Sequence, residues 1–427
     1  MNGGKKNVER VSVGALALAV AIAAGCDGNT VVGNGPPPPV VTSAGPASGL
    51  AVLGGDFTAS VVSLLNADGT LAKDDCLDSG SATSATLALA LSGDVTLPSQ
   101  PQHGGKLWIV DRGNSALTVL EPTTCAPITQ ISVSTGYVAD PHDVVVLSDT
   151  KAYATRYNKN AAAKDAMSTG DDVIIFDPST GALTGRIDLS AQASQVAGAM
   201  IQARPDRMAV AGGKVFVTLN DQDAMFHAAG EGAVVVIDPQ TDVVTSRVAL
   251  TDMKGCEGLA VVEDAKRLFV ACGGSFSDAD QAAGSGVAEI DIGASPPALV
   301  SVTKASALDG HPVNFSWVGA ASATQLFAAT FGSFGDAKSN TPATNDAVFS
   351  FAPGAAAGAG KAIGLEDGAF SLGRAAVSTT LLVVPDSSAA APRVHVLSIP
   401  ATGTPTETTA FDADPAKKLA PIEIAFY

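Results

Sequence analysis

The sequence predicts an all-β protein: a seven-bladed β-propeller with circular closure by the C-terminal strand, preceded by a signal peptide and a disordered tether. Three observations lead to this fold class. A short apolar strand recurs seven times, turn-forming residues separate the copies, and the last residues of the chain match a strand that the first copy lacks. Units of four short strands repeating every ~40–60 residues are typical of propellers.

The recurring apolar strand is the second strand of each unit. Its copies start between 45 and 63 residues apart. They begin at Ala51, Leu107, Ala152, Val215, Leu268, Leu326 and Leu381. Short runs of apolar, β-branched and aromatic residues bounded by Gly, Asp and Pro favour strands over helices.

The third strands of two units end in a turn signal. They read Asp172-Val-Ile-Ile-Phe-Asp-Pro-Ser-Thr-Gly181 and Ala233-Val-Val-Val-Ile-Asp-Pro-Gln-Thr-Asp242. Pro sets φ for a turn, and Gly or Asp tolerates the left-handed position that follows. Each therefore predicts a hairpin to a fourth strand.

These units resemble the YVTN-type propeller repeat, which runs Pro-x-x-Val-Ala-Val, a turn, Tyr-Val-Thr-Asn, and then Val-x-Val-Ile-Asp-x-x-Thr. The best match is Pro205-Asp-Arg-Met-Ala-Val210 followed by Val215-Phe-Val-Thr-Leu-Asn220. The resemblance covers residues 49–427, is strongest in the third to fifth units and implies a propeller without fixing its activity.

The two ends of the chain predict how the ring closes. The segment Ala420–Tyr427 matches a first strand, and the unit that starts at Ala51 has a second strand without a first. Pairing the two completes the seventh blade and removes two free sheet edges.

The N-terminus predicts export. Lys5, Lys6 and Arg10 form a basic start, and an uncharged stretch from Val11 to Gly25 follows. Fifteen residues are fewer than the ~20 that a membrane-spanning helix needs, so this stretch is a signal peptide.

The end of the signal peptide, Ala23-Ala24-Gly25-Cys26, resembles the lipobox of bacterial lipoproteins. The resemblance implies that Cys26 is lipidated and becomes the new N-terminus, although Ala23 stands where Leu is usual. An ordinary secretory peptide cut nearby is the alternative. Acyl chains on Cys26 would anchor the protein to a bacterial membrane, facing the periplasm or the cell surface.

A Pro- and Gly-rich stretch separates the signal peptide from the repeats. It contains Pro36-Pro37-Pro38-Pro39, which favours an extended polyproline II spacer. The predicted organisation is therefore a lipoprotein signal peptide at 1–25, a tether at 26–48 and the propeller at 49–427.

The charge balance restricts the partners. Charged residues make up 16% of the chain and give a formal net charge of −17. An acidic surface disfavours nucleic acid and anionic membrane surfaces as ligands.

Long loops of the repeats predict a binding face. They span 158–171, 220–231, 273–286 and 332–345, all between a second and a third strand. In a propeller these loops share one face with the segments before the first strands, and such loops commonly carry function.

Polar residues at the mouth of the central channel are the candidate binding residues. They are His142, Asp143, Arg156, Tyr157, Arg204, Asp206, Glu257 and His311. Two His with carboxylates can bind a divalent metal. Alternatively, these groups satisfy turn backbone and line a wet channel, and this interpretation is preferred.

Four cysteines remain for disulfides in an exported protein. Cys256 begins the first strand of one unit, and Cys272 ends the second strand of the same unit. If the hairpin between these strands turns at 263–266, Cys256 lies opposite residue 273, which is next to Cys272. This register favours a Cys256–Cys272 bond, and Cys76–Cys125 follows by elimination.

The predicted function is a membrane-anchored envelope or cell-surface lipoprotein whose monomeric propeller is a binding or scaffold module for a protein or other ligand. The alternative is a metal-dependent, lactonase-like hydrolase or lyase on the loop-rich face, and a third option is a subunit of a respiratory or quinoprotein-like complex. A complete catalytic set is not visible in the sequence, so catalysis is the less favoured reading.

Overall fold

The computed structural model describes residues 40–335, 341–388 and 391–427. These residues form seven four-stranded antiparallel sheets, the blades, and confirm the predicted seven-bladed β-propeller. Among the helices of this part of the chain, none is long and apolar enough to cross a membrane. The predicted signal peptide, Cys26 and the first part of the predicted tether lie outside the described residues.

The strands are numbered in chain order, and each blade is given from its innermost strand outward. Blade 1 is β30 (Pro421–Phe426), β1 (Leu50–Gly55), β2 (Ser60–Leu65) and β3 (Leu71–Asp78). Blade 2 is β4 (Val95–Thr96), β5 (Leu107–Asp111), β6 (Ala116–Glu121) and β7 (Ala126–Ser132). Blade 3 is β8 (Val144–Ser148), β9 (Lys151–Lys159), β10 (Gly170–Phe176) and β11 (Leu183–Asp188).

The remaining blades follow the same order. Blade 4 is β13 (Pro205–Ala211), β14 (Lys214–Leu219), β16 (Ala233–Asp238) and β17 (Val243–Ala249). Blade 5 is β18 (Cys256–Val262), β19 (Arg267–Gly273), β20 (Ser285–Asp291) and β21 (Ala298–Lys304). Blade 6 is β22 (Gly319–Ser322), β23 (Gln325–Thr330), β24 (Asp346–Phe351) and β25 (Lys361–Asp367). Blade 7 is β26 (Ala376–Val377), β27 (Leu381–Asp386), β28 (Arg393–Ser398) and β29 (Thr406–Phe411).

Short elements decorate the blades. Two-residue strands β12 (Ile201–Gln202) and β15 (Gln222–Asp223) pair with each other. Single 3₁₀ turns lie at Ala166–Ser168, Ser190–Gln192, Gln281–Gly284 and Ala305–Ala307.

Packing between blades explains the apolar strands. In β16 the first five residues are all buried, because blades cover both faces of this strand. The outermost strand β17 instead alternates exposed and partly buried residues over its first four positions, with the period of a strand that has one covered face. Burial of the inner strands therefore holds adjacent blades together.

The ring closes as predicted. Strand β30 pairs antiparallel with β1, with Leu50 opposite Phe426 and Ala51 opposite Ala425. Because the first and the last strand of the described residues share blade 1, neither leaves an unpaired inner edge.

Both predicted disulfides are confirmed. Cys256 lies opposite Cys272 because a bulge between Cys256 and Leu259 shifts the register by one residue. Cys76 on β3 is bonded to Cys125, so this bond joins blade 1 to blade 2. In the chain-entropy model, closing loops of this size contributes roughly 3 and 4 kcal/mol, respectively.

The alternating strand directions sort the loops onto two faces. Segments before the innermost strands and loops from second to third strands lie on one face, the upper face. Turns between innermost and second strands lie on the other, the lower face. The four long loops join β9 to β10, β14 to β16, β19 to β20 and β23 to β24, so all four belong to the upper face.

The segment Val40–Ser48, which we call the strap, was predicted as the end of the tether and lies against the lower face. The N–H of Val41 donates to the carbonyl of Leu147 at 2.7 Å, and the N–H of Gly213 donates to the carbonyl of Thr42 at 2.9 Å. Leu147 and Gly213 lie at the lower-face turns of blades 3 and 4. The chain therefore enters the propeller on the side opposite the long loops.

Pairing through β30 predicts a specific difference between two identical substitutions. Ile424 of β30 is fully buried, whereas Ile128 of the outermost strand β7 is 41% exposed. We expect Ile424→Asp to lower the free energy of unfolding by about 4 kcal/mol or more, since it removes core packing and buries a charge. Ile128→Asp should change it by less than ~1 kcal/mol. Urea unfolding followed by circular dichroism measures both, and equal losses would contradict closure through β30.

Candidate functional site

The segments before three innermost strands share a backbone conformation that turns side chains toward the channel. Asp140, Arg204 and Gly255 have left-handed φ angles of 51°, 48° and 57°. Each stands two residues before a candidate: His142, Asp206 and Glu257, respectively. Gly adopts this conformation freely and Asp tolerates it, whereas Arg204 is held there against its preference.

His142 lies at the centre of the channel mouth. Its Nδ1 is 2.7 Å from Oδ2 of Asp206, and its Nε2 is 3.4 Å from Oδ1 of Asp140. The ring of Tyr157 stacks on the imidazole, with centroids 4.2 Å apart and planes 4° from parallel. His142 is 7% exposed, so these neighbours enclose it.

Arg204 covers the same stack from outside. Its guanidinium carbon lies 4.8 Å from the centroid of Tyr157 and 4.3 Å from that of Phe226. Its Nε and Nη2 donate to the carbonyls of Gln222 and Asp223. Cation–π contacts and two backbone hydrogen bonds therefore fix this arginine across the mouth.

The His142–Asp206 pair is an ion pair. Burial, the largest single influence, and the charge of Arg112 oppose protonation of His142, but the charge of Asp206 together with the contacts to Asp140 and Asp206 raises the pKa of His142 above its ordinary value. Burial alone would raise the pKa of Asp206, but His142 and Arg207 hold it below its ordinary value. The imidazole is therefore cationic over a wider pH range than a free histidine.

Glu257 differs from Asp206, because the pKa of its carboxyl group is raised rather than lowered. Burial, and then the nearby charge of Asp206, raise the pKa of Glu257 to about 8. The side-chain amide of Asn220 donates to Oε1 of Glu257, and Gln222 in turn donates to Asn220. A carboxyl group that is neutral at pH 7 thus lies beside an ion pair. We call His142, Tyr157, Arg204, Asp206 and Glu257 the mouth cluster.

The other three predicted residues lie apart from the mouth cluster. Asp143 accepts backbone N–H groups from Ser99 at 3.1 Å, Val144 at 2.8 Å and Met208 at 2.7 Å, so it joins three blades below the mouth.

Arg156 and His311 also point elsewhere. Arg156 is fully buried within blade 3 and makes a two-bond ion pair with Asp172. The side chain of His311 is 40% exposed at the rim of blade 6, and its Nδ1 is 3.1 Å from Asp309. Neither residue has a hydrogen bond or ion pair to His142 or Glu257.

Two arginines that sequence reasoning missed fill the channel below the mouth. Arg207 donates to the carbonyl of Leu97 at 2.9 Å and the hydroxyl of Thr96 at 2.8 Å. Arg374 donates to Leu97, at 2.7 Å, and to Glu423. Aligning the strand openings could have revealed Arg207, since it occupies the repeat position of Asp143. The same alignment could have revealed Arg374 and Glu423, because they stand three residues before Val377 and Phe426 as Arg207 stands three residues before Val210.

A second feature that the sequence analysis missed lies on the upper face. The rings of Phe276, Phe315, Phe331, Phe334 and Phe370 form a continuous chain with centroids 5.0–6.1 Å apart. They come from upper-face segments of blades 5, 6 and 7. Phe276 is 64%, Phe334 77% and Phe370 47% exposed. We call these five residues the aromatic patch.

The chemistry of the mouth cluster follows from the protonation states of His142, Asp206 and Glu257. The raised pKa of His142 and the lowered pKa of Asp206 favour an imidazolium–carboxylate pair, and the Glu257 carboxyl beside them, with a pKa of about 8, is neutral near pH 7. Such a set can orient a polar group by hydrogen bonding. In residues 40–335, 341–388 and 391–427, however, no group of three or more His, Cys, Asp or Glu is arranged to hold a metal ion.

Comparison with known proteins supports the fold. No protein-family model and no curated protein sequence matches this chain significantly. Among solved structures, a protein from Lactobacillus plantarum aligns with a TM-score of 0.53 at 11% identity over 90% of this chain and 100% of that one. The periplasmic gluconolactonase of Pseudomonas aeruginosa aligns at 0.52 and 15% identity, over 88% and 98%.

A third similar structure is a putative 6-phosphogluconolactonase from Bacteroides fragilis, with a TM-score of 0.50 and 13% identity over 89% of this chain and 98% of that one. Identities this low show a shared fold and nothing about activity. Fold and comparisons together define the class: this chain is a seven-bladed β-propeller protein.

The raised pKa of Glu257 predicts a pH-dependent effect of Glu257→Gln. The folded protein holds a proton on Glu257 up to about pH 8, whereas the unfolded chain releases it near pH 4.5. The stability of the wild-type protein therefore falls as the pH rises from about 4.5 to about 8. The glutamine of the variant does not titrate, so the variant does not lose this stability. We expect the variant to match wild type near pH 5 and to melt roughly 1–3 °C higher near pH 8.5.

Thermal melts across pH 5 to 8.5 test this expectation. Glu231→Gln, the same change on the same face but outside the mouth cluster, is the control. A Glu257→Gln curve parallel to wild type would contradict a protonated Glu257.

Proposed function

We propose that this protein is a binding module whose upper face docks a polypeptide partner on the aromatic patch. The single observation that carries the proposal is the exposure of the patch. Three of its five rings present large fractions of their surface to solvent, and each of the three contacts at least one other ring of the patch. Water solvates such a surface poorly, and burial against a partner contributes about 25 cal/mol per Å² of apolar area.

The composition of the patch also suits recognition. Aromatic side chains bring large contact areas with only two rotatable side-chain bonds, and they are enriched in the buried centres of protein interfaces. The patch uses five of the 15 phenylalanines of a chain with few aromatic residues. Blades hold its supporting segments, so little conformational entropy is lost on binding.

We further propose that the chain is an exported YVTN-type lipoprotein anchored to a bacterial envelope membrane through acyl chains on Cys26. The lipobox-like residues before Cys26 and the repeats quoted above support this proposal. Thirteen residues lie between Cys26 and Val40, where the strap begins. Fully extended, they reach at most about 50 Å.

Entry of the chain on the lower face supports the combination of an anchor with a binding face. The strap runs along the face opposite the aromatic patch. A lipid anchor pulling on the strap would leave the upper face free for a partner in the envelope. The partner is a protein rather than nucleic acid, given the net charge of −17.

The alternative function is a lactonase-like hydrolase at the mouth of the channel. Its metal-dependent form needs His142, Glu257 and His311 on one ion, and His311 is engaged by Asp309 at the rim. Acid–base chemistry without a metal would use Glu257 and His142. His142 is nearly inaccessible, whereas the aromatic patch is open, so the binding proposal takes precedence.

The aromatic patch predicts a loss of peptide binding in a double variant. The full-length protein is immobilised and panned with a random peptide display library, and the recovered peptides are titrated by calorimetry. We expect peptides with apolar anchors, and at least a tenfold (~1.4 kcal/mol) weaker affinity in Phe276→Ser/Phe334→Ser. Both residues are exposed, so the fold should persist.

The control is Phe57→Ser, an upper-face phenylalanine that is 85% exposed and outside the patch. It should leave every affinity unchanged. Failure to recover any peptide class, or equal affinities for the patch variant and wild type, would overturn the binding proposal.

Lipidation at Cys26 predicts a second outcome. Expressed in a bacterial host fed radiolabelled palmitate, the full-length protein should take up label and sediment with membranes. Cys26→Ser should take up none, because the acylated sulfur is gone, and Asn29→Ala should behave as wild type. Label that persists in Cys26→Ser would refute the anchor at this residue.

A further inference from the structure

The channel holds a cavity below the mouth cluster and the arginines, close to the lower face. Its volume is about 250 Å³. The innermost strands of blades 5, 6, 7 and 1 form most of its wall, and Arg374 also lines it. Ala44 of the strap and Pro101 close over it. We call it the lower cavity.

The cavity exists because the innermost strand of blade 2 is much shorter than most of the other innermost strands. Strand β4 of blade 2 has only two residues, since Pro98 lacks the N–H that a longer strand would need. The chain then crosses the channel: Oε1 of Gln100 accepts the N–H of Val210, and Oε1 of Gln102 accepts the N–H of Val146, each at 2.8 Å. This crossing segment fills the channel beside blades 3 and 4.

No such segment among the described residues fills the part of the channel beside blades 5, 6, 7 and 1, where the lower cavity lies. Val210 lies opposite Val215 of β14, but the N–H of Val210 donates to Gln100 in the channel. Val210 and Val215 are therefore a pair of opposed residues that do not hydrogen-bond to each other. The equivalent residues of blades 5, 6, 7 and 1 pair with Leu268, Leu326, Leu382 and Leu50, respectively. These equivalent residues are Val261, Ala320, Val377 and Phe426, and all four line the lower cavity.

By the same register, each of these four residues turns both its N–H and its carbonyl toward the cavity. The wall therefore offers a ring of alternating hydrogen-bond donors and acceptors. Two further polar groups belong to lining residues: Nε1 of Trp317, a residue 1% exposed, and Oγ of Ser99 are buried without a hydrogen-bond partner.

We propose that the lower cavity binds a small neutral polyhydroxylated molecule, a monosaccharide or a smaller polyol. A hydroxyl group both donates and accepts, so it matches backbone edges that present an N–H beside a carbonyl. The volume lies below that of sites for drug-sized ligands and suits a compact ligand.

Trp317 supplies the measurement. The chain has two tryptophans, and Trp108 lies in the core between blades 2 and 3. Full-length protein carrying Trp108→Phe therefore reports on the cavity wall by its fluorescence. It is titrated with glycerol, D-ribose and D-glucose, and we expect a saturable change for at least one probe, with a dissociation constant of about 10 mM or tighter.

Three variants in this background locate the binding. Ala44→Leu fills the cavity from the strap, outside any blade strand, and Ala320→Leu fills it from blade 6. Each should weaken the affinity at least about tenfold. Ala47→Leu, an exposed change three residues further along the strap, should have no effect. If the Ala320→Leu variant does not fold, the affinity of the Ala44→Leu variant alone shows whether the ligand binds in the lower cavity.

The outcomes separate the ligand from solvent. Saturable binding that both filling variants weaken supports the proposal. Absence of saturation with all three probes means that the cavity holds water only and overturns it. Saturation that Ala44→Leu leaves unchanged places binding elsewhere and overturns it as well. The proposed docking on the upper face is unaffected by either result.

Discussion

Closure of the ring by β30 is the constraint on which the rest of the structure depends. Its backbone pairs with β1, and Glu423 on the same strand accepts from Thr96 and Leu97 of blade 2 and from Arg374 before blade 7. One C-terminal strand thus ties both ends of the chain to the blades on either side. Buried carboxylate–guanidinium pairs of this kind hold a defined geometry, because leaving either partner alone in the channel is strongly unfavourable.

The same geometry divides the channel into two environments. Charged groups fill its upper part, where Arg207 and Arg374 reach backbone carbonyls that blade 2 presents. Its lower part beside blades 5 to 1 has one charged lining residue in the described chain, Arg374, and stays unfilled because the segment after Pro98 turns toward blades 3 and 4. A single short strand, β4, therefore decides where the channel is closed by protein and where it has room for a small polar molecule.

The two faces of the propeller differ for a topological reason. Turns on the lower face are short, and the strap crosses them on its way into blade 1. Loops on the upper face are long, and three adjacent blades bring five phenylalanines together there. The strap and the aromatic patch therefore lie on opposite faces, which is the arrangement that the proposed tethered binding module needs.

The sequence by itself determined the blade number and the closing strand, because these depend on local patterns that repeat along the chain. It indicated the Cys256–Cys272 bond from the expected hairpin register and the Cys76–Cys125 bond by elimination. It also placed His142, Asp206 and Glu257 at the channel mouth, since each follows the same opening of an innermost strand. Only the tertiary structure decided which neighbours these residues meet. Arg156 turned into its own blade toward Asp172, and the aromatic patch joins residues from three blades. Side-chain direction and contacts between blades depend on the curvature of the whole ring, which no local pattern encodes.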